Sequence, residues 1–123
     1  MAANDVYPRG WQKEIAQNAS GVACSITLPA ANGIAHVIDH IFAKIQNYNA
    51  AAAALTCVVR LKVPSITIVE QFILSIPAGA GFNDTLDVDV NWHAPFLTAV
   101  TVDMDAGPGA GQWTELSVTG HDI

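Results

Sequence analysis

The chain has 123 residues, 51% of them hydrophobic and only 13% charged, with a formal net charge of −6. That length holds one domain with a core of its own, and so apolar a composition leaves little of the chain to disorder. Five Lys and Arg in all build no basic patch, which argues against a phosphate-backbone binder. No apolar run approaches the roughly 20 residues of a membrane span, so neither nucleic acid nor a membrane is an expected partner. The opening "MAANDVYPRGWQKE" lacks the apolar run of a secretory signal. With so few charges, part of the surface is expected to be covered by other subunits.

Residues 1–19 read as an arm, with Pro8, Gly10 and mixed charge. Tyr7 and Trp11 stand out in it, since large aromatics on a polar arm often anchor it to something. From residue 20 the pattern has period two. In "GVACSITL", Val22, Cys24, Ile26 and Leu28 alternate with Ala23, Ser25 and Thr27, and Pro29 with Asn32-Gly33 marks a turn. The next segment, 34–48, is ambiguous. Ile34, Val37, Ile38, Ile41, Phe42, Ile45 and Tyr48 repeat as on a helix face, whereas four Ile and a Val favour a strand.

"LTCVVRLKV" returns to strict alternation, with Leu55, Cys57, Val59, Leu61 and Val63 on one face, and Pro64 ends it. In "ITIVEQFILSI" one face holds Ile66, Ile68, Phe72, Leu74 and Ile76, broken by Glu70. The other holds Thr67, Val69, Gln71, Ile73 and Ser75. A strand apolar on most of both faces reads as buried twice, once in the core and once at a subunit contact. After the loop "PAGAG", "TLDVDVNW" points Leu86, Val88, Val90 and Trp92 inward and Asp87, Asp89 and Asn91 outward. "FLTAVTVDM" buries Val100, Val102 and Met104, and "WTELSVTGHDI" buries Leu116 and Val118. Seven or eight strands spaced by Gly, Pro and Asn turns predict a sandwich or jelly roll.

The groups that could carry chemistry are few. His36 and His40 would share a helix face suited to zinc, but on a strand they lie about 13 Å apart on one face and cannot share an ion. Asp103 and Asp105 imitate the start of an EF-hand loop. Gly107, Pro108 and Thr114 then stand where a ligand, the obligatory Gly and the bidentate Glu belong. Asp87 and Asp89 read as the wet face of a strand. Cys24 and Cys57 read as buried small hydrophobes. No nucleophile elbow or phosphate loop is present, so an enzyme is not expected, nor any cofactor or metal.

From Pro29 to Ile123 the chain resembles the small jelly-roll decoration, or cement, proteins of tailed-bacteriophage heads. Their layout runs "PAxxGxxHVI" into a strand and ends as "V-x-G-Y-x-I". Here these stand as "PAANGIAHVIDHI" (29–41) and "LSVTGHDI" (116–123), with His121 in place of the usual aromatic. The resemblance implies an all-β, jelly-roll-type antiparallel β-sandwich over 20–123 behind the N-terminal arm 1–19, and a strand at 34–48. It also implies a viral structural role: a homotrimer on the outer capsid surface of the virion, made in the host cytoplasm and bridging major capsid protein subunits. The interface residues expected on this reading are Tyr7, Trp11, Val69, Gln71, Ile73, His36 and His40. The alternative is a carbohydrate-binding or tail-fibre module. Its only aromatics would be Trp92 and Trp113, both at positions expected to be core.

Overall fold

The computed structural model describes residues 24–64, 66–104 and 109–123, together with the backbone of 9–16. Among them are eight strands: β1 (Arg9–Ala16), β2 (Ser25–Leu28), β3 (His36–Asn47), β4 (Leu55–Lys62), β5 (Ile68–Ile76), β6 (Asn83–His93), β7 (Val100–Met104) and β8 (Gln112–Asp122). The pairing is nested. β4 pairs with β5, β3 with β6, β2 with β7 and β1 with β8, all antiparallel. The chain is thus one long hairpin folded at the β4–β5 connection and rolled up. Rolling adds the β3–β8 and β4–β7 seams and closes two four-stranded sheets, β1-β8-β3-β6 and β2-β7-β4-β5. That is the jelly roll expected from the turn spacing.

The alternating residues meet between the sheets. Ile38, Ile41, Ala43, Ile45, Leu116 and Val118 of the first sheet face Ile26, Leu28, Cys57, Val59, Leu61, Leu74, Val100, Val102 and Met104 of the second, all buried. Each large aliphatic side chain so buried contributes about 1.5–3 kcal/mol. Leu86, Val88, Val90 and Trp92 pack half-buried against this core from the edge strand β6. Cys24 and Cys57 are buried and not joined in a disulfide, and Cys24 Sγ lies 3.7 Å from Thr114 Oγ1. At one end of the sandwich the buried Asn47 ties loops together, its Nδ2 donating to Ala53 O at 3.1 Å and Pro77 O at 2.9 Å. Beside it Gly111 has φ +76°, and a Cβ there would come within 2.5 Å of Asn49 Cβ, so no other residue fits without a shift.

The ambiguous segment is a strand with a bulge. Ile38 pairs with Gly120 and His40 with Thr119, so Asp39 is an extra residue. A strand side chain changes face with every residue, and one extra residue swaps the faces beyond it. Before the bulge His36 and Ile38 point to the core; after it Ile41, Ala43 and Ile45 do. The three-residue step from Ile38 to Ile41 is what imitates a helical period. The bulge also corrects the expectation that His36 and His40 share a face: His36 is buried on the inner side, and His40 is on the outer side. The neighbouring β6 takes up its own irregularity at Asn91, whose φ is +47°, a conformation that Asn tolerates better than most residues.

A second irregularity, in β5, corrects the two-faced reading of that strand. Leu61 pairs with Glu70 but Lys62 with Ile68, so Val69 is the extra residue. Val69 therefore leaves the outer face and packs against the core, and Ile68 takes its place outside. β5 is an edge strand, and among the described residues nothing covers its outer side: Ile73 is 65% and Ile68 49% exposed. Arg9–Ala16, within the N-terminal arm, pairs along its length with β8. One further position differs from expectation: Trp113 lies on the outer face of the first sheet opposite Gln46, not in the core.

Candidate functional site

Of the seven expected interface residues, Tyr7 lies outside the described residues, and Trp11 is placed only by register, opposite Gly120 in β1. The other five fall in two separate regions. Gln71 and Ile73 are on the outer face of the second sheet, while Val69 is turned inward. His36 and His40 belong to the first sheet.

The outer face of the second sheet is built from β4, β5 and β7. Val58 pairs with Ile73, Arg60 with Gln71, and Lys62 with Ile68. Ile66, in the connection before β5, is 89% exposed. Beside these isoleucines Asp103 holds two cations, with Lys62 Nζ at 2.6 Å and Arg60 Nη1 at 3.5 Å from its carboxylate oxygens. The result is an apolar strip next to a compact, ion-paired polar cluster. Exposed β-branched residues on an edge strand are a ready surface for another chain. β6, the corresponding edge of the first sheet, instead carries Asp87 and Asp89 outward.

The first sheet gathers three histidine–carboxylate contacts around β3. His36 is 5% exposed; its Nδ1 meets Asp122 Oδ1 at 2.7 Å and its Nε2 meets the Pro29 carbonyl at 2.8 Å. Both partners are acceptors. A neutral imidazole has only one N–H, so two such contacts are satisfied only by imidazolium. His40 is bracketed likewise, by Asp89 at 2.7 Å on Nδ1 and by Asp87 on Nε2. The third contact joins His121 Nδ1 to Asp39 Oδ2 at 2.7 Å, so the bulged residue spans the β3–β8 seam.

Protonation of His36 and His40 follows from these surroundings. Burial pulls the His36 pKa down, but the Pro29 carbonyl and the Asp122 carboxylate outweigh it and leave it above its ordinary value. For His40 the hydrogen bond to Asp89 is the largest effect; partial burial opposes it, Asp87 adds to it, and the pKa is raised. Among the described residues no group of three or more His, Cys, Asp or Glu converges as a metal would need. The carboxylate on each nitrogen of His40 shows why: the ring separates them instead of joining them at one point.

Alternation places Asp87 and Asp89 on a wet face, but nothing in the linear order pairs them with His40, 47 and 49 residues away. The same is true of His36 with Asp122 and of Asp103 with Arg60 and Lys62. Such contacts depend on register between strands distant in the chain.

No protein-family model matches the chain, and no curated protein is significantly similar to it. Among solved structures, one of the infectious bursal disease virus Gx strain is similar at 14% sequence identity with a TM-score of 0.41. The likeness covers 93% of this chain and 32% of that one.

Proposed function

We propose that the chain is a viral structural protein, a decoration or cement protein of a tailed-bacteriophage head. On this reading it sits on the outer capsid surface of the virion as a homotrimer and stabilises contacts between major capsid protein subunits. The observation that carries the reading is the uncovered face at β5: Ile66, Ile68 and Ile73 lie exposed beside the Asp103 cluster in a chain with few charges. An all-β sandwich with so much unshielded aliphatic surface on one edge is built to be covered by protein. Three copies in one trimer would add their footprints through high effective concentration, so each could be weak. The N-terminal residues, with Tyr7 and Trp11, serve in this proposal as the grip on the shell.

The test combines mass and binding. Light scattering at micromolar concentration is expected to give three times the chain mass, and the protein should cosediment with undecorated phage heads. Ile73→Asp removes apolar area from a position that is already exposed, so stability should change by less than about 0.5 kcal/mol, while association is lost. A clean monomer that ignores the heads would overturn the proposal. An Ile73→Asp variant that still assembles would move the interface away from β5.

A further inference from the structure

The three histidine contacts share a feature beyond the proposed role: each joins β3 to a neighbour in the first sheet or to the turn that precedes it. His36 ties the start of β3 to Asp122 at the end of β8 and to Pro29 just after β2. His40 ties the middle of β3 to Asp87 and Asp89 of the edge strand β6. Asp39, between them, reaches His121 of β8. We propose that the first sheet carries a protonation latch, in which the imidazolium forms of His36 and His40 lock β3 to β8 and to β6. Loss of these protons loosens both seams.

The chemistry is that of acceptors facing acceptors. When His36 loses a proton, one ring nitrogen becomes a lone pair, directed at either the Asp122 carboxylate or the Pro29 carbonyl at under 3 Å. The contact turns from a charge-assisted hydrogen bond into a repulsion, in a site with little water to relieve it. His40 differs in its exposure. Its loss of charge leaves Asp87 and Asp89, two carboxylates on one face of β6, with no cation between them. Among the described residues, other charged or titratable groups near these rings are few. Arg9 stands opposite Asp122 in register on β1, His93 stands opposite Val37 on β6, and Asp39 with His121 lies on the β8 side of His40.

The direction follows from linkage. In the unfolded chain both histidines titrate near their ordinary value, and in the fold both hold the proton more tightly. Their contribution is therefore complete below the unfolded pKa and disappears as pH rises through the folded one. Two amide pairs report the His36 seam: Ala35 N–H to Ile123 O at 2.8 Å and Ile123 N–H to Ala35 O at 2.9 Å.

The experiment is amide exchange and imidazole nitrogen NMR on the intact protein from about pH 6 to about pH 9. Both rings should show two protonated nitrogens at the acid end and titrate above the free-histidine value. After correction for intrinsic exchange, protection at Ala35 and Ile123, and along β6, should fall as the rings lose their protons. The fall should be about tenfold for every tenfold by which folding tightens the grip of the ring on its proton. Asp122→Asn should abolish the response at Ala35 and Ile123 and leave that of β6; His40→Gln should do the reverse. Protection factors independent of pH in the unsubstituted protein, or a neutral His36 ring at about pH 6, would overturn the latch. Neither result bears on capsid binding, which is measured separately.

Discussion

Deleting Asp39 is a sharp test of how β3 is built. A deletion inside a buried strand is normally ruinous, because every side chain beyond it changes face. Deleting Phe42 illustrates the ordinary case. Ala43, Ile45 and Asn47, all fully buried, would turn to solvent, and Lys44 and Gln46 would turn into the core. Losing Ile45 and Ala43 from the core costs about 2–4 kcal/mol, and losing the two Asn47 hydrogen bonds about 1–3 kcal/mol more. Burying the Lys44 charge adds several kcal/mol. The total approaches the whole stability of a domain, roughly 5–15 kcal/mol.

Asp39 is different because it is already surplus against β8. Without it, His36 and Ile38 still face inward, His40 outward, and Ile41, Ala43 and Ile45 inward, now in unbroken alternation. What is lost is the twist of the bulge and the contact with His121, whose side chains are 39% and 31% exposed. A half-exposed side-chain hydrogen bond of this kind is worth about 0–1 kcal/mol, so the deletion should cost about 1–2 kcal/mol. Against β6 the mismatch grows, since Val90 and Asn91 already oppose the single Asp39, but β6 is an edge strand with space to adjust. Urea unfolding followed by tryptophan fluorescence, with circular dichroism as the second probe, compares the two deletions. A folded Asp39 deletion beside an unfolded Phe42 deletion is expected. Equal damage from both, or a stable Phe42 deletion, would refute the bulge argument.

Trp92 Nε1 is buried and has no acceptor among the described residues. Trp92→Phe removes that unpaired donor along with some apolar area. The two effects oppose, and the thermal midpoint should correspond to a change within about 1 kcal/mol, against the larger loss usual for trimming a core aromatic. Gly111→Ala should behave in the opposite way. A positive φ and a Cβ 2.5 Å from Asn49 Cβ predict a loss of about 1–3 kcal/mol from a single methyl group. Calorimetry of the two variants side by side checks both.

The strands themselves are legible in the chain. β4 and β8 alternate so strictly that their inward residues can be named from the order of residues alone, and the turn spacing points to a jelly roll. Alternation is a local property: it needs only that one face meet oil and the other water. The two bulges are not legible. A surplus residue at Asp39 or Val69 is surplus only relative to a partner strand, and those partners are set by the pairing of whole strands. That is why β3 imitates a helix, why simple alternation puts His36 and His40 on one face, and why Val69 and Ile68 exchange places. The same limit applies to the ion pairs. The residues of each pair are in plain view as an Asp on a wet face or a His on a strand. Only the rolled hairpin brings Asp122 to His36, Asp87 and Asp89 to His40, and Asp103 to Arg60 and Lys62, because register across a sheet is set by packing the whole core at once.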